Sequence, residues 1–176
     1  MKILIAYASK NGTVAICAQE LKKHLQNLDV HLSDLAKEDP NPEEYDIVLM
    51  GASVRFGKLL SPLTKFWGKY WDVLLTKSIG LFFCCGYTHD HEYYYDMLLP
   101  EKLKEKAFQT LFFGGSLKKD GLSFFDKLVV RSMRSSIAET EIDDGEFTPS
   151  MPGILPENIE RMATYTRLEI SKIREK

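Results

Sequence analysis

The sequence is poor in cysteine, lacks a long hydrophobic run and carries almost no excess of charge of one sign. Its three cysteines, Cys17, Cys84 and Cys85, form no CxxC spacing, which argues against a disulfide framework and a zinc site. The apolar run at the start is about seven residues long, whereas a membrane span needs ~18, and no small-residue cleavage site follows it. The net charge of −2 gives no basic footprint for nucleic acid. We therefore expect a cytoplasmic protein that does not bind nucleic acid.

The amino-acid composition of the chain is typical of one globular domain. Of the 176 residues, 44% are hydrophobic, which is enough for a sizeable core in a single domain, 1–176. Short apolar runs alternate with segments of helical periodicity, and this alternation predicts a doubly wound α/β domain with a parallel sheet. The predicted strands are residues 2–8, 30–35, 45–53, 78–85 and 107–113. The predicted helices are residues 14–28, 61–75, 92–106 with a break at Pro100, 122–135 and 157–176.

The first loop has the composition of a phosphate-binding turn. A strand ends at Ala8, a short polar segment follows, and a helical pattern begins at once. The start of a helix offers free backbone N–H groups and partial positive charge, which favour a phosphate. The alternative is an ordinary turn whose polar side chains only cap the helix. The residues of this loop are Ser9, Lys10, Asn11, Gly12 and Thr13.

Three further loops are predicted at the same edge of the sheet, where doubly wound folds bind their ligands. They have the sequences GASVRFG (51–57), CGYTHDH (85–91) and GGSLKK (114–119). Glycines allow a flat ring to approach the backbone, and the aromatic residues Phe56 and Tyr87 could cover its faces. The alternative is that the glycines only end the strands, as they do in many turns.

These segments together resemble the flavodoxin superfamily, and most closely the menaquinone-dependent protoporphyrinogen IX dehydrogenase family. The resemblance rests on the first loop, on GASVRFG, on Gly114-Gly115-Ser116-Leu117 and on the segment FFDKLVVRSMR (124–134). It implies a three-layer α/β/α sandwich with a five-stranded parallel sheet of order 2-1-3-4-5. It also implies FMN as cofactor, with a porphyrinogen as reductant and a quinone or a redox protein as electron acceptor.

The resemblance also implies a set of FMN contacts. The phosphate is assigned to the first loop, in which Val14 stands where the family usually has a further threonine. The ring is assigned to the later loops, with Arg55 either raising the flavin potential or binding a substrate carboxylate. The alternative is that Arg55 is a surface residue whose guanidinium bonds to neighbouring carbonyl groups. The residues assigned to the ring are Ala52, Ser53, Val54, Arg55, Phe56, Gly57, Gly86, Tyr87, Thr88 and Ser116.

Other features leave alternatives open. His89 and His91 are metal-ligand types, but no distant third ligand accompanies them, so we expect no metal site. The helix predicted at Leu122–Arg134 either covers the sheet or contacts an anionic membrane surface. A homodimer is left open. Three functional classes fit the sequence: an FMN-dependent oxidoreductase, a small electron-transfer protein, and a binding protein on the same scaffold that has lost FMN.

Overall fold

The structure is a computed structural model, and it describes residues 1–55, 57–85, 91–115 and 153–175. For residues 91–94 it describes the backbone only. The helix predicted at Leu122–Arg134 and the acidic segment 139–146 lie outside the described residues.

The centre of the fold is a parallel β-sheet. Its strands are β1 (Lys2–Ala8), β2 (Asp29–Asp34), β3 (Ile47–Arg55), β5 (Ser78–Cys84) and β6 (Ala107–Phe112). They lie in the order β2-β1-β3-β5-β6, and every neighbouring pair is parallel. The short strand β4 (Lys58–Leu59) pairs only with β3 and lies off this path. When β4 is left out of the count, β5 and β6 are the fourth and fifth strands, and the order is the predicted 2-1-3-4-5. The predicted fold class is confirmed.

Helices cover both faces of this sheet, as parallel strands with few polar residues require. The helices α1 (Thr13–His24) and α6 (Pro156–Arg174) pack on one face, with Ile5, Phe82 and Phe113 in the core between them and the sheet. The other face is covered by α2 (Ser61–Lys69), α3 (Trp71–Thr76), α4 (His91–Leu98) and α5 (Glu101–Lys106). Leu4, Met50 and Leu81 are fully buried on that side. The result is the predicted three-layer arrangement.

The helix predictions that fall on described residues are correct in place and wrong in some boundaries. The break at Pro100 is confirmed, because α4 ends at Leu98 and α5 begins at Glu101. The single helix predicted over residues 61–75 is wrong: Tyr70, with φ −112° and ψ 22°, leaves the helical conformation and separates α2 from α3. The first helix ends at His24 rather than at residue 28, because residues 25–28 form turns before β2. Pro62 occupies the first turn of α2, as predicted.

The loop predicted over residues 51–57 is wrong for residues 51–55, of which the predicted strand 45–53 already included the first three. The strand β3 continues to Arg55, and Val54 and Arg55 pair with Leu59 and Lys58 of β4 in an antiparallel hairpin. The ladder hydrogen bonds to β4 hold this segment extended beyond the end of the neighbouring strands. Ala52, Ser53, Val54 and Arg55 are therefore strand residues, and Gly57 lies in the turn.

A second antiparallel pair was not predicted. It joins β7 (Gly114–Gly115) to β8 (Gly153–Ile154), directly before α6. The pairing places α6 against the end of β6, where Asn158 Nδ2 donates to the carbonyl oxygen of Phe112 at 2.8 Å. Among the described helices, none has the length and apolar character that crossing a membrane requires.

Candidate functional site

The strand registers bring three chain segments to one edge of the sheet. Ala8 at the end of β1 pairs with Ala52 of β3, and Ser53 of β3 pairs with Cys84 at the end of β5. The loop after β1, the hairpin at the end of β3 and the segment after β5 therefore start side by side. This edge is the ligand-binding position of doubly wound folds, as the sequence predicted.

The start of α1 is built as an open anion site. Gly12 precedes the helix with φ 83°, a left-handed conformation that side chains rarely adopt, and a Cβ added there would meet nothing within 4 Å among the described residues. Gly12, the residue before the helix, has no side chain that could cap it, and the first intrahelical bond runs from Ile16 N–H to Gly12 C=O at 2.9 Å. The residue before the first turn therefore supplies no side-chain oxygen of the kind that commonly satisfies the N–H groups there.

Ser9 offers a further polar group at this loop. Its hydroxyl oxygen is buried and makes no hydrogen bond within the described part of the chain. A buried hydroxyl without a partner costs about 1–3 kcal/mol, so such groups usually await a ligand or water. Asn11 is half-buried beside it, and Lys10 is exposed. The loop therefore combines backbone donors, a hydroxyl and a cation, which is the chemistry that binds a phosphate.

The side chain of Val14 belongs to the hydrophobic core. It is fully buried in the core beneath α1, together with Cys17, Ala18 and Leu21. A side chain in that position packs against the sheet, and only its backbone N–H lies in the first turn of the helix. The valine that departs from the family pattern therefore contributes core packing where the threonine would place a hydroxyl.

The hairpin of β3 and β4 forms another border of the site. Ala52 and Val54 are buried, whereas Ser53 and Arg55 are half-buried and alternate with them along the strand. Arg55 pairs across the hairpin with Lys58, which is exposed, so two cations stand near the tip. The side chain of Met97 on α4 approaches the turn, with its Cε 3.7 Å from the position of a Cβ on Gly57.

The remaining predicted residues are not placed by the structure. Phe56, Gly86, Tyr87, Thr88 and Ser116 lie outside the described residues, as do His89 and the side chain of His91. Elsewhere in the chain, across the residues that the structure describes, no three metal-ligating side chains come together. The contacts of the five undescribed residues with a ring remain predictions.

The sequence analysis missed two contacts beside this edge. The thiol of Cys84 at the end of β5 donates to Cys17 Sγ on α1, with the sulfurs 3.7 Å apart. Tyr95 on α4 packs against Phe83, with ring centroids 5.7 Å apart, and burial raises the pKa of its hydroxyl well above the usual range. Each contact joins residues that are distant in the sequence. The only sequence feature that pointed to either contact was the position of Cys17 on the buried face of its helix.

Comparisons with known proteins agree with this architecture. The sequence profile of the flavodoxin domain matches residues 4–143. A flavodoxin from Streptococcus pneumoniae TIGR4 has a TM-score of 0.58 and 15% identity, covering 96% of this chain and 99% of that one. A mutant of a flavo di-iron protein from Thermotoga maritima has a TM-score of 0.55 and 16% identity, covering 96% of this chain. Our chain spans only 36% of that longer protein.

A Fusobacterium nucleatum flavodoxin bound to flavin mononucleotide has a TM-score of 0.49 and 14% identity, with coverage of 96% and 99%. Comparison with curated proteins gave no significant match. At such identities the first two structures establish the fold alone. The profile match, which spans most of the chain, together with the strand order and the loop after β1, shows that this protein belongs to the flavodoxin domain family.

Proposed function

We propose that this chain binds FMN at the carboxyl edge of its sheet and works as a redox flavoprotein. The observations that support the proposal most are at the start of α1, where left-handed Gly12 offers no capping side chain and the buried hydroxyl of Ser9 has no partner in the described chain. Membership of the flavodoxin domain family supports FMN over other phosphate-bearing ligands.

In this proposal, different residues of the chain bind the phosphate and the ring of FMN. The N–H groups of Asn11, Gly12 and Thr13 and the Ser9 hydroxyl bind the phosphate, while Lys10 adds positive charge at the loop. The hairpin residues Ala52–Gly57 and the segment after β5 border the ring. When bound, FMN supplies a ring that accepts and releases electrons.

Arg55 is the residue that we assign to tuning or recognition. A guanidinium beside the ring stabilises negative charge on it and thereby raises its reduction potential. The same group can bind a carboxylate of the substrate through two parallel hydrogen bonds. Both roles place a fixed cation at the end of β3, next to the turn that borders the site.

The finer part of the proposal concerns the reaction. The substrate is a reduced porphyrinogen and the acceptor is a quinone, so that the chain is an oxidoreductase rather than a carrier. The resemblance of GASVRFG and of FFDKLVVRSMR to the protoporphyrinogen dehydrogenase family supports this assignment. The low net charge of −2 also fits an enzyme better than a carrier that docks through a strong field.

Membrane contact by Leu122–Arg134 belongs to the same proposal, because quinones and porphyrins partition into bilayers. The segment combines apolar residues with Lys127, Arg131 and Arg134, which suits an anionic lipid surface. Co-sedimentation with anionic vesicles tests this part: binding that high salt weakens supports it, and absence of binding refutes it.

The function itself is tested by the absorbance spectrum of the protein after addition of FMN and removal of free cofactor. A retained flavin spectrum is expected, and its absence would favour a scaffold that has lost FMN. Anaerobic titration of the loaded protein with a porphyrinogen then separates the remaining classes. Bleaching of the flavin band and reoxidation by a quinone analogue indicate the oxidoreductase. A flavin reduced only by a reductase protein indicates a carrier.

A further inference from the structure

The thiols of Cys17 and Cys84 form a buried pair that the proposed FMN chemistry does not use. Cys17 lies on α1 and is fully buried, and Cys84 is the last residue of β5 with 3% of its surface exposed. Their sulfurs are 3.7 Å apart although the residues are 67 positions apart in the sequence. None of the three cysteines forms a disulfide in this structure.

The contact makes the two thiols chemically unequal. The hydrogen bond from Cys84 lowers the pKa of Cys17 in spite of its burial, whereas that same bond and burial raise the pKa of Cys84. A thiolate is the nucleophilic form of cysteine, so Cys17 is the member that reacts first. Cys84 is in contact with it and is the thiol placed to act as the resolving partner.

We propose that Cys17 and Cys84 are a redox-active dithiol that a hydroperoxide converts reversibly into a disulfide. The Cys17 thiolate attacks one peroxide oxygen, the O–O bond breaks, and the products are a sulfenic acid and an alkoxide, or hydroxide where the oxidant is hydrogen peroxide. Cys84 then attacks the sulfenic sulfur, the S–S bond forms, and water leaves with the thiol proton. Two electrons pass from the sulfurs to the peroxide, and an external dithiol returns them by exchange.

The packing favours this pair over the alternatives. The sulfurs are already in contact, 3.7 Å apart, against the ~2.05 Å of a bonded pair. Cys85 is half-buried and directly follows Cys84, a spacing whose backbone geometry rarely permits a disulfide. The bond would tie α1, which carries the phosphate loop, to the end of β5 at the opposite border of the site. The inference stands independently of FMN binding.

The test is thiol counting on the native full-length protein before and after treatment with hydrogen peroxide. After removal of peroxide and denaturation, we expect the number of titratable thiols to fall from three to one per chain and a phosphine reductant to restore it. Non-reducing tryptic digestion should yield residues 11–22 linked to residues 78–102. Because the second peptide also contains Cys85, the Cys85→Ser variant serves as the matched control and should give the same link.

The Cys17→Ser variant should not form the linked peptide. If this variant does not fold, the results for the wild type and for Cys85→Ser decide whether the proposal holds. The proposal is overturned if native protein keeps both thiols, if they oxidise to sulfinic acids without linking, or if the link is lost in Cys85→Ser. A link that forms only in denatured protein also overturns it, because the folded contact would then play no part.

Discussion

Gly51 of β3 lies beside Phe82 of β5, its partner in the strand register. A Cβ at this position would stand 2.1 Å from Phe82 Cε2. Phe82 has no room to retreat, because it is fully buried and stacks on Phe113 with ring centroids 4.8 Å apart. The glycine is therefore required by packing between strands rather than by the proposed cofactor.

Gly51→Ala should lower the free energy of unfolding by about 1–3 kcal/mol, the usual cost of overpacking a core. Gly68→Ala is the matched control, since Gly68 is exposed on α2 and an added Cβ would meet nothing within 4 Å among the described residues. The control should be neutral or stabilising by up to ~1 kcal/mol. Urea denaturation measures both. Equal stability of the two variants would mean that the core adjusts freely around Phe82.

Arg55 and Lys58 are partners across the hairpin, which makes them a matched pair for testing the proposed cation at the ring. Arg55→Ala should make the flavin potential more negative or weaken binding of a carboxylate-bearing substrate about tenfold, because a charged hydrogen bond is lost. Lys58→Ala removes an exposed charge and should change neither quantity much. If Arg55→Ala leaves both unchanged, Arg55 is a structural residue.

Individual residues of the site were predictable to different degrees. The Ser9–Thr13 loop followed from a strand, a polar turn and a helix in direct succession, a local pattern. The burial of Val14 and the approach of Met97 to Gly57 depend on how α1 and α4 pack, which the local sequence does not specify. The contact between Cys17 and Cys84 was not foreseen for the same reason.

The hairpin of β3 and β4 shows why some elements were misjudged. The alternation of buried Ala52 and Val54 with half-buried Ser53 and Arg55 is a strand pattern. The segment also contains Gly51, Ser53 and Gly57, a composition typical of a loop. The loop prediction rested on this composition and not on the alternation. In contrast, β1 was predicted to the residue and β5 to within one, because continuous apolar runs identify strands buried on both faces.

A side-chain hydrogen bond near the first turn of α6 joins this helix to the end of β6. Asn158→Ala should destabilise the protein by about 0.5–1.5 kcal/mol, because the carbonyl of Phe112 loses its donor. Asn158→Asp is the sharper variant: it has nearly the same shape and can still accept from Arg161 Nη1, but it cannot donate. It should be destabilised to a similar extent in chemical denaturation. Wild-type stability of Asn158→Asp would show that the bond contributes nothing.

The whole molecule should lose stability at alkaline pH. Burial raises the pKa of Tyr7, Tyr45 and Tyr95 in the folded protein, while an unfolded chain ionises its tyrosines near pH ~10. The unfolded state therefore releases protons first, so stability is complete below about pH 10 and falls as pH rises above it.

Tyr95→Phe should reduce this loss, because it removes the hydroxyl whose pKa burial raises most. Melting temperatures between about pH 8 and pH 11 test the expectation, with Tyr165→Phe at a half-buried position of α6 as the control. A slope identical in wild type and Tyr95→Phe would show that this hydroxyl does not ionise on unfolding.

The alternation of strands and helices was enough to predict the α/β class, and the resemblance to the flavodoxin superfamily supplied the strand order. The proposed FMN binding depends on one edge of the sheet, and at that edge it depends most on the start of α1.

Calorimetric titration with FMN and with riboflavin, which lacks the phosphate, tests the central claim most directly. Wild-type protein should bind FMN much more tightly than riboflavin. Asn11→Asp, which changes charge but hardly shape, should weaken FMN binding by about tenfold or more and leave riboflavin binding nearly unchanged. Equal affinity of the wild type for the two ligands, or no heat with either, would contradict the proposal that the uncapped start of α1 binds the phosphate of FMN.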